Sequence, residues 1–343
     1  MAATIGFRVR IGDLEISGGD RRPPAQLLRL RTELTMDGVG GRAQLALSAS
    51  GALEASIGES VEIDLDAGDG SSPVFRGQVR ALTGDASTLW LDAADSLSAL
   101  ALREYVGTFA ESDAKTIARA ILDDGEVPVG TLATGPTFAR YVLAPGPSAL
   151  AQLRTLARRC GLDLFTDRTG AVCMTATTYT GAILTIADDT PILQIRVERR
   201  TPPADGVTLY GEGAASSRGA SRSHWLVRDL SPTRGQAKLT TAGEVKRSAS
   251  ARPRTFVDGA VRSGEFAASL AEAKTQALAS SQLCGTLTLL GQPHLTPGDL
   301  IHIGNLGRRL PAVAAAVGDA ELRVRTVVHH LDAGRGLFTE VEL

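Results

Sequence analysis

The sequence predicts a mainly β chain interrupted midway by an α+β section. Three observations point there. The first ninety residues alternate polar and apolar positions with a period of two. A helical period then appears twice between residues 111 and 161. From about residue 190 the period-two pattern returns and holds, with one helical interruption, to the C-terminus.

The clearest early strand is "VEIDLD". It sets Val61, Ile63 and Leu65 on one face and Glu62, Asp64 and Asp66 on the other, as expected of a half-buried antiparallel strand. "GDGSS" turns the chain, "VFRGQVRAL" returns it, and "STLWLDA" follows a second turn at Gly84 and Asp85. In "ESDAKTIARAILDDG" the apolar residues Ala114, Ile117, Ala118, Ile121 and Leu122 form one helical stripe, with Ser112 or Asp113 to cap it and Gly125 after its end. "PSALAQLRTLARRCGLDLFTDRTGAVCMT" reads as helix, stop and hairpin. Ser148 is its cap, and Leu150, Leu153, Leu156, Ala157 and Cys160 face inward. Arg154, Arg158 and Arg159 face out, and Gly161 is placed for a left-handed C-terminal turn. The buried Leu153 and Leu156 are structural residues on this reading. Later strands are "ILQIRVERR", "DGVTLYGEG", "GTLTLLG", "DLIHIG", "ELRVRTVVHHL" and "GLFTEVEL". A third helix fits "SGEFAASLAEAKTQALASSQL", with Phe266, Leu270, Ala273 and Ala277 on its stripe. Pro297 and Gly298 suit the centre of a type II turn. Residues 212–254, rich in Gly, Ser, Ala and Arg, read as a long loop.

Composition excludes several functions. The formal net charge is −2 over 343 residues and aromatics are 4%, which argues against a nucleic-acid binder or a base-stacking platform. Cys160, Cys173 and Cys284 are widely spaced, without a CxxC pair, and read as reduced thiols rather than a zinc site. "MAATIGFRVRIG" has no apolar core of a secretory signal, and no window of about 18 apolar residues suggests a membrane span. The expected place of synthesis is therefore the cytoplasm.

Motif chemistry is equally sparse. "DLDAGDG" offers Asp64, Asp66 and Asp69, but a calcium loop starting at Asp64 would meet Gly68 and Phe75 where oxygen ligands belong. "GEGAASSRG" lacks the Lys-Ser/Thr pair of a phosphate loop and the spacing of a dinucleotide loop. His329 and His330 are adjacent, so a strand points them to opposite faces; His294 and His302 form no helical pair. No GxSxG or HExxH occurs. No catalytic, metal or cofactor residue is therefore assigned, although two carboxylates of a peptidoglycan hydrolase can converge from anywhere in a chain. What stands out is charge distribution. Residues 51–70 hold six acids and no base, while 214–262 hold ten bases against three acids. Glu62, Asp64 and Asp66 on one side, and Arg218, Arg222, Arg234, Lys246 and Arg247 on the other, are candidate contacts between subunits or with partners.

In order, four stretches resemble one known family. They are "VFRGQVRALTGDASTLWLDAADSLSAL", with its Phe-x-Gly-x-Val strand (Gly77) and Asp95; "TFAESDAKTIARAIL"; "YVLAPGPSALAQLRTLARRCGLDLFTDRTGAVCM"; and "GTLTLLGQPHLTPGDLIHIG" with "VVHHLDAGRGLFTEVEL". Over about residues 55 to 343 the chain resembles the phage late control protein D family and the hub part of VgrG, the baseplate hubs of contractile tails and related injection systems. The resemblance implies two tail-tube-like β-barrels, residues 1–100 and 191–343, with a helix–hairpin middle domain over 101–190. It implies a non-enzymatic homotrimer whose six barrels mate with a hexameric inner tube, a separate trimeric spike and other baseplate components. The chain would be incorporated into a phage tail, a tailocin or an extracellular injection particle. It would be a stand-alone hub, since no OB-fold or needle follows the last hub strand. The rival readings are a tail-tip peptidoglycan hydrolase and a hexameric tail-tube or distal-tail protein.

Overall fold

A computed structural model describes residues 5–18, 25–36, 40–49, 55–177, 181–186, 190–211, 233–240, 243–303, 310–318, 321–332 and 334–343. Strand accounts for 51% of the described residues and helix for 19%, so the fold is mainly β.

The organising element is one eleven-stranded antiparallel sheet. Its order is Ile192–Arg199, Leu283–Leu290, Gly336–Glu342, Thr326–Asp332, Ala25–Thr35, Arg42–Ala49, Thr88–Ala94, Ser71–Gly84, Ser60–Asp66, Gly6–Ile11 and Leu14–Ser17. The two ends of the chain meet within it. Thr326–Asp332 pairs with Ala25–Thr35, setting Leu331 opposite Leu30 and His329 opposite Thr32. Each half keeps its own core. Val9, Ile11, Leu45, Ile63, Phe75 and Leu91 fill the N-terminal one. Leu287, Leu289, Ile301, Val327 and Val341 fill the other. In the N-terminal half, register shifts at Leu27/Arg29, Ile63/Asp64 and Val79/Ala81 bend the strands, and the edge strand Leu14–Ser17 comes round to touch Ala25–Thr35. In the C-terminal half a second sheet of Ile183–Ile186, Leu300–Ile303 and Leu322–Arg323 closes over the core. Ile183–Ile186, expected with the middle section, thus packs with the C-terminal strands.

The middle section builds a separate core from Leu97 to Met174. Helix Ala114–Asp124 buries the five predicted residues, and Asp113 rather than Ser112 caps it, accepting from Thr116 N at 2.7 Å. Helix Ala149–Cys160 is capped by Ser148 and ends at Gly161 with φ 66° and ψ 35°, the left-handed conformation glycine tolerates. All five predicted inward residues are buried. Gln152 joins them, its Nε2 donating to the carbonyls of Ala144 and Pro147. The hairpin of Leu162–Thr166 and Val172–Ala176 follows, turned by Asp167, whose carboxylate accepts from Thr169 N and Ala171 N. Buried Asp95 ties this section to the N-terminal half. One oxygen accepts from Gly41 N at 2.6 Å, and the other caps the short helix Ser96–Ala99 through Ser98 N at 2.9 Å.

Two expectations for the C-terminal part need correction. The 212–254 stretch is not one loop. Residues 212–232 and 241–242 lie outside the described residues, but Arg234–Leu239 and Val245–Lys246 are strands. They join Gly206–Gly211 and Pro253–Asp258 in a four-stranded sheet. Helix Gly264–Ser280 covers this sheet with its own core of Val207, Leu209, Ala237, Ala267, Leu270 and Ala271. Strand Arg234–Leu239 carries a polar sequence because only one of its faces is covered, and Gly235 lets it approach so closely that a Cβ there would sit 2.0 Å from the Ala267 carbonyl carbon. The helix stripe is also displaced. Ala267, Leu270, Ala271 and Thr275 are buried, whereas Phe266 turns to the middle core, its ring centre 5.2 Å from that of Phe138. The helix is packed on two sides, so a single-stripe reading picked residues from both.

Candidate assembly surfaces

The predicted acidic face exists, but its central member is not free. Asp64 is 3% exposed. Arg8 Nε donates to one of its oxygens at 2.9 Å, and Arg76 takes the other. Burial alone would raise its pKa; the hydrogen bonds and charges of Arg76 and Arg8 outweigh burial and hold it below the usual carboxylate range. Arg8 lies 56 residues away in the sequence but directly opposite Asp64 in the pairing register. Asp66 is occupied locally, accepting from Gly68 N at 2.7 Å and Gly70 N at 3.1 Å to shape the turn. Glu62, half exposed, sits 3.6 Å from Arg10. The strand is therefore an ion-paired seam within one chain.

The basic candidates divide similarly. Arg218 and Arg222 lie outside the described residues. Arg247 bridges two acids of helix Gly264–Ser280, Glu272 at 2.8 Å and Glu265 at 3.1 Å. Lys246 lies 3.1 Å from Glu244, and the Arg234 guanidinium sits 5.7 Å from the Tyr210 ring centre. Such exposed pairs contribute little. Of these contacts, only those of Arg247 tie the four-stranded sheet to its helix.

The structural candidates fall where their chemistry requires. A Cβ at Gly77 would lie 2.3 Å from the Ala94 carbonyl oxygen, so the crossing of Ser71–Gly84 over the end of Thr88–Ala94 needs glycine. Leu153 and Leu156 are fully buried. At Gly161 a Cβ would meet Ala273 Cβ at 2.8 Å, where the two long helices touch. Pro297 and Gly298 are the centre of a turn closed by Asp299 N donating to Thr296 O at 3.2 Å, with φ +97° at Gly298. Asp299 itself, buried, accepts from Ala182 N and Thr296 N, and burial pushes its pKa up. Cys160 and Cys173 are buried thiols pushed by burial up to about 12 and about 11, too high for nucleophiles at neutral pH. Among the described residues no group of three or more His, Cys, Asp or Glu side chains could hold a metal ion, and no helix is long and apolar enough to cross a membrane.

Sequence reasoning missed one polar junction. Ser72 Oγ lies 2.6 Å from His294 Nδ1, and His294 Nε2 lies 3.1 Å from Asp69 Oδ2. Arg168 reaches Ser72 Oγ at 3.5 Å. The serine hydroxyl donates to Nδ1, which sets the Nε2–H toward Asp69. This order has the connectivity of an acyl-transfer relay, but the ring nitrogens are reversed relative to the serine-protease arrangement and Ser72 is only 5% exposed. What the cluster does is fasten three segments: the N-terminal half through Ser72 and Asp69, the middle hairpin through Arg168 and the C-terminal half through His294. No local motif could announce it, since Ser72 and His294 are 222 residues apart.

No protein-family model matches the sequence, and no curated protein matches it. The fold does have counterparts. The 43 kDa tail protein of prophage MuSo2 from Shewanella oneidensis superimposes with a TM-score of 0.68, covering 99% of this chain and 98% of that one at 16% identity. This is a phage tail-protein fold. A tail protein from Neisseria meningitidis MC58 shares it at TM-score 0.66 and 15% identity, over 99% and 96% of the two chains. So does the Escherichia coli c3393 protein, a type VI secretion component described as similar to the T4 tail proteins gp27 and gp5. Its TM-score is 0.59 at 12% identity, over 97% of this chain and 75% of that one. These neighbours are the kinds of protein that the sequence resemblance pointed to, and the tail-protein fold extends over practically the whole chain.

Proposed function

We propose that the chain is a structural hub of a contractile tail or related injection particle. Three copies join a hexameric inner tube on one side to a spike on the other. The observation that carries this reading is the continuous sheet. One chain supplies two β halves with separate cores, held edge to edge by the pairing of Ala25–Thr35 with Thr326–Asp332. Three chains then present six such halves, the number a hexameric ring requires. The tail-protein fold supports the same reading, because two of its solved counterparts are tail proteins over their whole length. On this view the chain is made in the cytoplasm and works after incorporation into the particle. Its role is to adapt symmetry and transmit force. The middle helices and the four-stranded layer brace the ring, and the Ser72–His294–Arg168 junction locks the halves to that brace.

No particular observation favours the hydrolase reading. The serine–histidine–aspartate array found among the described residues has its serine buried between segments. Immunogold electron microscopy of assembled particles carrying a tagged chain separates the hub from a tail-tube protein. A hub gives one focus at the tail tip. Label along the length of the tube would overturn the hub in favour of a tube protein.

A further inference from the structure

A cleft of about 520 Å³ opens between helix Ala149–Cys160, helix Gly264–Ser280 and strand Pro253–Asp258. Arg154, Arg158, Arg254, Lys274 and Arg325 line it. The Arg254 guanidinium is 5.2 Å from the centre of the Phe256 ring, and the Lys274 ammonium is 4.9 Å from the same point. Lys274 also donates to the Arg158 carbonyl at 3.0 Å. Asp163 is the only carboxylate among the described lining residues, and Arg323 lies 3.1 Å from it. Of the lining cations, Arg154, Arg158, Arg254 and Lys274 have no carboxylate within ion-pair distance among the described residues. Between them the walls are apolar, with Ala157, Leu162 and Leu278. A partner that fits must bring carboxylates and small apolar groups together.

The same chain carries such a segment at the other end of its middle section. Helix Ala114–Asp124 ends in Asp123 and Asp124, followed by Gly125, Glu126, Val127 and Pro128. Asp123, Asp124, Glu126 and Pro128 are exposed. Acids at a helix C-terminus oppose the helix dipole, and the helix has no base in its last turn to offset them. Glu126 adopts φ 55°, a conformation that favours glycine. Asp123 has only the exposed Arg119, 3.9 Å away on the same helix. Asp124 and Glu126 have no ion-pair partner among the described residues. The tip lies beside the start of helix Ala149–Cys160: Arg103 donates to the Asp124 carbonyl, and its own carbonyl accepts from Ala149 N at 2.8 Å. The cleft lies along the C-terminal half of that helix, from Arg154 to Gly161, about 8 to 18 Å from its start at 1.5 Å per residue. A chain therefore cannot place its own tip in its own cleft.

We propose that residues 123–128 of one copy seat in the basic cleft of the next, so that head-to-tail contacts close a ring of three. The inference rests on the trimeric hub reading and assigns its copy-to-copy surface. Heterologous contacts of this kind close when the rotation between copies is a simple fraction of a turn.

Light scattering after size exclusion at low salt, with circular dichroism to verify folding, tests it on four full-length chains. The wild type is expected at trimeric mass. Arg154→Glu/Arg254→Glu and Asp124→Arg/Glu126→Arg are each expected to associate at least tenfold more weakly and run as monomers. The quadruple variant, with both surfaces reversed, is expected to regain the trimer. A trimeric wild type with trimeric double variants overturns the contact and leaves the hub reading intact. If Arg154→Glu/Arg254→Glu stays trimeric but no longer co-purifies with the co-expressed spike or tube protein, the cleft belongs to that partner and the proposal fails. A monomeric wild type overturns this contact and the trimer together.

Discussion

Burial of His329 makes the stability of the sheet junction depend on pH. The residue sits on Thr326–Asp332, opposite Thr32 on one neighbouring strand and Thr339 on the other, at the seam that joins the two halves. It is 1% exposed, and its only described hydrogen bond is between Nδ1 and Thr339 Oγ1 at 3.0 Å. Burial is the main cause that lowers its pKa to about 3 from the ordinary 6.5, with the charge of His330 adding to it. The folded protein thus holds a neutral imidazole, while the unfolded chain takes up a proton below pH 6.5. Stability from this site is full above pH 6.5 and falls as pH drops toward the folded value. Between pH 7.5 and pH 5 the loss is about 2 kcal/mol, and at complete protonation it approaches 5 kcal/mol. The assay is urea unfolding of wild type and His329→Gln at the two pH values. Glutamine keeps a polar partner for Thr339 and cannot titrate. The wild type should lose about 2 kcal/mol more than the variant on acidification. Background titrations common to both proteins cancel in that difference. Equal pH dependence in the two proteins would refute the reasoning.

Three further perturbations follow from the packing. Leu153→Asp removes a fully buried side chain from the middle core and puts a charge in its place, a loss beyond the ~2–5 kcal/mol of simple truncation; limited proteolysis should cut within residues 101–177, and a soluble, protease-resistant variant contradicts the core assignment. Gly77→Val drives a side chain into the Ala94 carbonyl and should cost about 1–3 kcal/mol by thermal melting, where an unchanged melt would show that the strand crossing can open. Asp64→Asn leaves Arg8 and Arg76 without a counter-charge; since both arginines are partly exposed, the loss should be about 1–3 kcal/mol at pH 7. The native carboxylate is held below its ordinary pKa, so its contribution is present above about pH 4 and disappears as pH falls through the lowered value. The variant should therefore lose less stability in acid than the wild type.

How much of this was legible in the sequence varied with the range of the interactions. Helix Ala149–Cys160 was readable to its caps, because its period, Ser148 and Gly161 are all local signals. The turn at Pro297 and Gly298 was readable for the same reason. Strand Ser60–Asp66 showed its two faces, but not that Arg8 and Arg76 convert the acidic one into an internal seam. Which strands pair across the two halves has no local signature, so the meeting of residues 25–35 with 326–332 could come only from structure. The four-stranded layer was hidden because Arg234–Leu239 is half exposed and reads as polar loop. Helix Pro311–Val317 escaped notice as a short alanine-rich run. It packs beside edge strand Ile192–Arg199, where Arg199 donates to the carbonyls of Ala316 and Val317. The His294 junction and the basic cleft gather residues from three parts of the chain, which no spacing rule would have brought together.

The central claim is that one chain supplies two of six tube-like positions, and the stoichiometry of the particle tests it most directly. Native mass spectrometry of the chain co-purified with its inner-tube protein should find three copies per six tube subunits, with each copy contributing 35.8 kDa. Six copies per six tube subunits would contradict the claim and make the chain a ring protein of the tube itself.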